Sequence, residues 1–350
     1  MLTVDGSRGE GGGQVLRTSL SLSALTGRPF RMINIRGQRS KPGLRPQHLT
    51  AVRAVAQLCR AEVKGDELSS NSLEFRPGSN PCGGEYLFDV AEVSLGGRSA
   101  GAVTLILQAV LWPLLFASDA SKITLRGGTF VPFSPPYHYF AEVTLPNYAR
   151  FGVVMTAELH SWGWMAAGGG EVVLTIEPLS NLTAVTFEPV VGKRVKGIAG
   201  VSNLPSHIPH RMARRAYNLL LEAGLEPVIH PKRERGAGPG AGIVLWMEQG
   251  GFSALGRRGL PADKVAEVAV GDLYSFLDNG AAVDYHLADQ LLLPMAIAQG
   301  RSTFTVDKLS LHSLTNINLL REWLAVNITV SGKLDQPGTV AVQGFDMARS

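Results

Sequence analysis

Three segments of the chain share one order of apolar and polar positions. In each, an apolar helix-forming stretch precedes a short strand, a polar loop, a second helix and two strands that end in turn residues. In the first segment the predicted helix, strand, loop and second helix lie at 16–26, 31–36, 37–47 and 48–61. In the second segment they lie at 102–117, 122–126, 127–136 and from about 137. In the third segment they lie at 287–298, 303–306, 307–313 and 314–324. The pattern indicates three copies of one structural unit, although identity among the copies is slight.

The residues between the second and third segments, about 184–278, follow a different order. Their pattern predicts a strand at 195–201, a helix at 208–223, strands at 226–231 and 242–248, and a helix at 264–279. This predicts a small α/β domain inserted between repeats. The glycine-rich stretch 233–242 is typical of a loop. A phosphate cradle is the alternative, less favoured because such a cradle opens directly into a helix.

Composition excludes several classes of protein. The 350 residues are 45% apolar and 18% charged, which excludes a disordered chain, and 40 glycines without a triplet period exclude collagen. Two cysteines, Cys59 and Cys82, exclude a disulfide framework and suit a reducing, cytoplasmic location. No signal peptide is visible, and the longest apolar stretch, 102–117, is too short for a membrane span. Of 33 basic residues 24 are Arg, a side chain that binds phosphate bidentately.

Two segments of the first unit have residues suited to anions. Three glycines at 11–13 lie before the first helix, between Glu10 and Arg17, where free N–H groups would face a ligand. A flexible turn with Glu10 complementing the helix dipole is the alternative. The loop 36–48 carries four cations and no acidic residue. It predicts either a phosphate site or a solvated basic loop.

The equivalent loops of the other two units also have polar and aromatic groups. The second unit has polar residues at 127–129, and its stretch 134–139 has prolines and aromatic rings that could sandwich a base. In the third unit, His312 lies at a predicted helix start, where a neutral imidazole could attack phosphorus. A helix-terminal or core role is the alternative for His312. His207 and His210 lack an acidic or thiol partner nearby and are interpreted as structural.

Four of these motifs together resemble one known family. Glu10-Gly11-Gly12-Gly13-Gln14-Val15-Leu16-Arg17, Lys41-Pro42-Gly43 with Gln47-His48-Leu49, Leu287-Ala288-Asp289-Gln290 with Leu293-Pro294-Met295-Ala296, and Ser310-x-His312-x-x-Thr315-Asn316 resemble RNA 3′-terminal phosphate cyclases. The resemblance spans all three repeats and is weakest in the insert. It implies an α+β fold with three repeats of a two-helix, four-stranded-sheet unit and a smaller inserted α/β domain. The catalytic repeat domain would comprise 1–183 and 279–350, and the inserted domain 184–278.

The resemblance also implies a reaction and a set of site residues. A histidine takes the adenylyl group of ATP, passes it to an RNA 3′-phosphate, and the 2′-hydroxyl then closes a 2′,3′-cyclic phosphate and expels AMP. By motif position His312 would be the nucleophile and Glu10 the carboxylate near a divalent metal, Mg or Mn. The implied ATP- and phosphate-binding residues are Arg17, Arg36, Arg39, Gln47, Gln108, Pro135, Tyr139, His286, Asp289 and Gln290. Tyr139 replaces a phenylalanine of some members and His286 a tyrosine, and both keep an aromatic face.

Two other functions are consistent with parts of the sequence. A non-catalytic cyclase-like protein that binds RNA in ribosome assembly would be favoured by loss of the nucleophile, but His312 is present. Enolpyruvyl-type transferases also use repeated α/β units but lack the motif around His312. The sequence therefore predicts an ATP-dependent enzyme that acts on RNA 3′-phosphate ends, without a membrane and with its oligomeric state open.

Overall fold

A computed structural model describes residues 1–94 and 96–345. The first unit consists of β1 (Leu2–Asp5), α1 (Gly13–Thr26), β2 (Phe30–Ile33), α2 (Pro46–Cys59), β3 (Glu62–Lys64) and β4 (Leu73–Arg76). Its sheet has the order β1-β2-β4-β3, and β1 runs parallel to β2. Phe30 and Met32 alternate toward the core from β2, as expected for a half-buried strand. Helix α1 ends at Gly27, whose left-handed backbone suits glycine.

The second unit has the same order of elements. It consists of β5 (Gly84–Asp89), α3 (Val103–Leu115), β6 (Ser121–Gly127), α4 (Tyr137–Tyr139), a π-helical turn (Phe140–Thr144), α5 (Leu145–Ala149), β7 (Met155–Ser161) and β8 (Gly170–Ile176). The sheet order is β5-β6-β8-β7. Helix α3 is buried along almost its whole length, which explains its continuous apolar sequence.

The chain then passes through β9 (Leu182–Thr183) into the inserted segment. This segment consists of β10 (Arg194–Ser202), α6 (His207–Glu222), β11 (Glu226–Glu234), β12 (Gly240–Met247), β13 (Gly250–Leu255) and α7 (Ala262–Asn279). Its sheet, β11-β10-β12-β13, packs against both helices around a separate apolar core. Strand β13 was not predicted, and the predicted glycine-rich loop, 233–242, begins within strand β11. The next element after that loop is a strand, as predicted.

The third unit consists of α8 (Tyr285–Ile297), β14 (Ala298–Gln299), β15 (Arg301–Val306), α9 (Leu311–Trp323), β16 (Asn327–Gly332) and β17 (Gly338–Gln343). Its sheet has three strands in the described part of the chain, β15-β17-β16, so the prediction of four strands is wrong for this unit. At the other edge of β15, the described residues form isolated bridges, Thr186 with Thr303 and Val283 with Val306. The chain segments that enter and leave the insert therefore occupy this edge of β15.

The helices of the three units pack together around one large apolar core. Helix α1 packs against α2, α3 and α9, and α8 packs against α9. The N-terminal ends of α1, α2, α8 and α9 supply residues to one cavity, and such ends favour anions. The mixed helix-and-sheet fold is confirmed. The domain boundaries stay predictions, and residues 346–350 of the predicted repeat domain lie outside the described residues.

Two smaller predictions concern the environment of the chain. In the described residues no helix has the length and apolar character needed to cross a membrane. Cys59 and Cys82 are both free thiols. The cytoplasmic location itself stays a prediction.

Candidate active site

A single cavity of about 1190 Å³ brings together all the predicted site residues. The twelve residues that the sequence analysis named are Glu10, Arg17, Arg36, Arg39, Gln47, Gln108, Pro135, Tyr139, His286, Asp289, Gln290 and His312. They come from all three units of the chain. Their individual roles stay predictions, but the geometry of each can be described.

The first unit supplies a cationic face of the cavity, here called the arginine wall: Arg17, Arg36, Arg39, Lys41 and Arg45. Arg36 has a left-handed backbone and donates to the carbonyls of Lys41 (2.7 Å) and Gly43 (3.0 Å), which fixes the loop. Partial burial, together with the nearby charge of Arg45, lowers the pKa of Arg36. Within residues 1–94 and 96–345, Arg36, Lys41 and Arg45 form no ion pair. These cations therefore suit an anionic ligand.

Arg17 is the buried member of this wall and lies on α1. It donates through Nε to Gln108 Oε1 (3.1 Å) and through a terminal nitrogen to Gln14 Oε1 (2.7 Å). Burial lowers the pKa of Arg17 to about 10, opposed by the charge of Asp289. The guanidinium is therefore still protonated at neutral pH. The hydrogen bond from Arg17 to Gln108 joins α1 to α3 at the cavity surface.

His48 is a cavity residue whose role the sequence analysis did not assign. It is buried on α2, and burial together with Arg36, Arg17, Arg45 and Arg39 holds its pKa well below the usual range. A neutral imidazole therefore lies among the cations. Its Nδ1 accepts weakly from the Arg45 amide at 3.4 Å, which places the proton on Nε2. The motif Gln47-His48-Leu49 was the available signal.

Gln47 connects the arginine wall to the second unit. Its Oε1 accepts from the backbone N–H of Ala102 at 2.9 Å, at the start of α3. This contact satisfies a free N–H at a helix N-terminus and fixes α2 relative to α3. The contact supports a positioning role for Gln47 in the cavity.

The third unit supplies a second group of residues, here called the histidine wall: Asp289 and His312 on the cavity surface, and Asp284, which is buried beside Tyr139. Ser310 caps α9 by accepting from the Ser313 amide at 3.0 Å, which places His312 in the first turn. His312 Nδ1 lies 2.9 Å from Asp289 Oδ1, and the carboxylate is far more buried than the imidazole. Because the Asp289 carboxylate can only accept a hydrogen bond, a neutral His312 imidazole donates to it from Nδ1–H, and Nε2 keeps a free lone pair. Such a nitrogen can act as a nucleophile.

Tyr139 lies beside this wall with its hydroxyl turned away from solvent. Its O–H donates to Asp284 Oδ2 at 2.8 Å, and the same carboxylate accepts from the amides of Gly251, His286 and Leu287. Burial raises the pKa of Tyr139 well above the usual range. The extra hydroxyl, which a phenylalanine lacks, therefore joins the second unit to α8.

The remaining predicted nucleoside residues are also fixed by neighbours. Gln290 accepts from Thr144 Oγ1 at 3.1 Å and donates to the His286 carbonyl at 3.0 Å. The Pro135 carbonyl accepts from Thr104 Oγ1 at 2.8 Å. The His286 ring is open to solvent at the cavity surface, where a base could stack on it.

Glu10 is the only predicted metal residue, and it forms an ion pair with Arg39. Its amide donates to Thr315 Oγ1 on α9 at 2.9 Å, which brings the start of α1 to the histidine wall. The described residues contain no cluster of three or more His, Cys, Asp or Glu suited to a metal. One carboxylate fits Mg²⁺ or Mn²⁺ only when phosphate oxygens and water supply the other ligands. The divalent metal therefore stays a prediction.

The sequence analysis did not assign roles to several other cavity residues. Phe133 and Met165 come from loops of the second unit, while Ser253 and Leu255 come from β13 of the insert. No motif marked these residues, because the exposed apolar side chains of Phe133 and Met165 lie on loops, which have no period, and strand β13 was not predicted. The insert thus forms part of the cavity surface.

Comparison with known proteins adds independent findings. The sequence pattern of the family described as RNA 3′-terminal phosphate cyclase matches residues 8–330. A protein of that name from Trichormus variabilis is 50% identical over 336 residues, covering 95% of this chain and 96% of its own. Those from Methylococcus capsulatus and Archaeoglobus fulgidus are 48% and 40% identical, covering 90% and 95% of this chain and 89% and 98% of their own.

One solved structure shows a distant likeness. The enolpyruvyl transferase NikO from Streptomyces tendae aligns at 13% identity with a TM-score of 0.41, over 99% of this chain and 49% of that one. A likeness of this size has no bearing on function.

Proposed function

Because the chain belongs to the RNA 3′-terminal phosphate cyclase family and is an enzyme of that kind, we propose that it uses ATP to convert an RNA 3′-phosphate into a 2′,3′-cyclic phosphate through an adenylate on His312. The observation that carries the proposal is the 2.9 Å contact between His312 Nδ1 and Asp289 Oδ1 in the shared cavity. This contact supports a nucleophilic Nε2.

The proposed reaction has three balanced steps. The Nε2 lone pair of His312 attacks the α-phosphorus of ATP, and the bond to the bridging oxygen breaks to release pyrophosphate. An oxygen of the RNA 3′-phosphate then attacks the adenylyl phosphorus, which breaks the P–N bond and frees His312. Finally the 2′-hydroxyl attacks the 3′-phosphorus, loses its proton to solvent and expels AMP.

The side chains of the cavity suit these steps. Asp289 stabilises the positive charge that develops on His312 as Nε2 bonds to phosphorus. The arginine wall stabilises charge on the phosphates, which is the largest contribution of the protein in phosphoryl transfer. A divalent metal beside Glu10 would neutralise further phosphate charge when bound. Arg39 would then exchange Glu10 for a phosphate oxygen.

The proposal is tested with α-labelled ATP. We expect the purified protein to acquire label in an acid-labile, alkali-stable bond, because a phosphoramidate nitrogen leaves once protonated. His312→Ala should abolish labelling and cyclisation without lowering the melting temperature, since the imidazole lies at the cavity surface. His207→Ala, an exposed histidine of the insert, is the matched control and should label normally. A labelled His312→Ala protein would exclude His312 as the nucleophile.

The same experiment addresses the alternative function. A non-catalytic RNA-binding relative would bind a 3′-phosphorylated RNA but acquire no label from ATP in the wild-type protein. The metal is tested by titrating Mg²⁺ or Mn²⁺ into the labelling reaction.

A further inference from the structure

The loop 130–136 is anchored on both sides of its tip. Phe130 and Val131 are buried, and the Phe130 ring stacks on Trp164 with centroids 4.8 Å apart. On the other side, the Pro135 carbonyl accepts from Thr104 Oγ1, and the Tyr137 amide donates to the Thr129 carbonyl at 2.8 Å. The tip is therefore held in place by the fold.

Phe133 at this tip is completely exposed, with a relative accessibility of 100%. Its backbone is left-handed, with φ of +63°, a conformation that bulky side chains rarely adopt. Neither feature favours folding, because the ring buries no apolar area and the backbone is strained. Residues held in such conformations cluster at ligand-binding sites, where the surrounding structure maintains them.

The surroundings of Phe133 indicate what it contacts. Phe133 shares the cavity surface with Met165, which is 59% exposed, and with the cations Lys41 and Arg45 of the arginine wall. Lys41 and Arg45 form no ion pair among the residues that the structure describes. An exposed aromatic face and unpaired cations on the surface of one cavity are the combination that binds single-stranded nucleic acid, with bases on the rings and phosphates on the cations.

We propose that Phe133 is a stacking platform for one of the last three bases of the RNA substrate. This inference rests on the proposed function, and it assigns a contact to the RNA strand that leads to the reacting 3′ end. RNA is favoured over the adenine of ATP because, of the predicted nucleoside residues, Tyr139 and Gln290 are buried and Pro135 is half-buried, which leaves His286 to face a base, whereas the Phe133 ring is completely exposed. Stacking on a ring is tolerant of base identity, so Phe133 would add affinity without sequence preference.

The test measures binding of a 3′-phosphorylated oligoribonucleotide by fluorescence anisotropy. Phe133→Ala should raise the Kd about tenfold, and Phe133→Trp should restore it. Abasic residues are placed in turn at each of the last three positions of the RNA. At the position that stacks, the wild-type protein and Phe133→Ala should bind the abasic RNA equally. A 2-aminopurine at that position should be quenched by the wild-type protein and not by Phe133→Ala.

Three results would overturn the proposal. The first is an unchanged Kd for Phe133→Ala. The second is an equal loss of affinity on Phe133→Ala substitution for the intact RNA and for every abasic RNA. The third is slower labelling of Phe133→Ala by ATP in the absence of RNA. The last result would place Phe133 on the nucleotide. Val191→Ala is the matched control, since Val191 is 94% exposed and lies outside the cavity lining. Failure of the wild-type protein to form the adenylate would exclude the proposed function, while the anisotropy measurement would still report on stacking.

Discussion

The two faces of the cavity differ in how completely the protein itself satisfies their charges. On the histidine wall, Asp284 accepts four hydrogen bonds and Asp289 is paired with His312. On the arginine wall, Arg39 has an acidic partner, whereas Lys41 and Arg45 have none in the described parts of the chain. One face is therefore held in its geometry before substrate arrives. The other keeps its charges available for phosphate, and substitutions on the two faces should have different effects.

Asp289→Asn should have the largest effect, because the amide cannot stabilise the charge that develops on His312. Loss of a charge-assisted hydrogen bond of about 1.5–3 kcal/mol corresponds to about one to two decades in rate. The measurement is single-turnover labelling by ATP, with the exposed Asp335→Asn as a control that should react normally. A normal rate in Asp289→Asn would show that the contact is only structural.

Asp284→Asn should lower the free energy of unfolding at pH 7 by about 2 kcal/mol. The side-chain NH2 group of Asn is a donor, and it would face the O–H of Tyr139 or the N–H of Gly251, which are also donors. Burial raises the pKa of Asp284 from 3.8 to about 6, against the hydrogen bonds that lower it. The folded state then binds a proton more readily than the unfolded state. The contribution of the Asp284 carboxyl to the free energy of unfolding is therefore fully present below about pH 4, and it declines as the pH rises through about 6. Urea unfolding of both proteins across this range should show a flatter pH dependence in Asp284→Asn. Identical pH dependence would contradict this account.

Arg39→Lys should reduce the rate about tenfold with little change in stability, because charge is kept while the bidentate fork is lost. The side chain is 45% exposed, so solvent weakens the contribution of its pair with Glu10. Single-turnover cyclisation should be compared on RNAs that differ only in the terminal base. A uniform loss indicates phosphate contact, and a loss confined to one base would place Arg39 in base recognition.

Lys41→Gln should have the smallest effect and the opposite sign on stability. Removing one of several like charges should raise the free energy of unfolding by about 0.3 kcal/mol at low salt, and less at high salt. Pyrophosphate should stabilise the wild-type protein more than Lys41→Gln. A clear loss of stability in Lys41→Gln would show that the arginine wall is already satisfied within the protein.

The sequence predicted much of the secondary structure because helices and strands leave a local period. Helices α1, α2, α8 and α9, and the elements of the inserted segment other than β13, were predicted within a few residues. Strand β13 was missed because 250–255 has two glycines and no clear alternation. The third sheet was predicted with four strands because the resemblance treats the units as equal, whereas the insert occupies the edge of β15.

The site was predicted as a set of residues but not as a set of contacts. All twelve residues line one cavity, and the motifs that carry the resemblance supply half of them, from helix starts that meet there. The contacts join residues far apart in the chain, such as Tyr139 with Asp284 and Gln47 with Ala102. A local pattern has no information on such pairs. The burial of His48 among arginines was missed for the same reason.

The paired edge of β15 has a consequence for how the molecule could be rebuilt. Phe187 bonds to Thr303 as the chain enters the insert, and Ala282 bonds to Thr305 as it returns. The two crossing points are two residues apart on one strand, or about 7 Å at the usual rise per residue. A linker of a few residues could therefore replace the whole insert, which has the geometry of an exchangeable cassette. Excision would remove the Gly251 amide from Asp284 and open the cavity at Leu255, so a replacement cassette would reshape the substrate entrance while the helix starts remain in place.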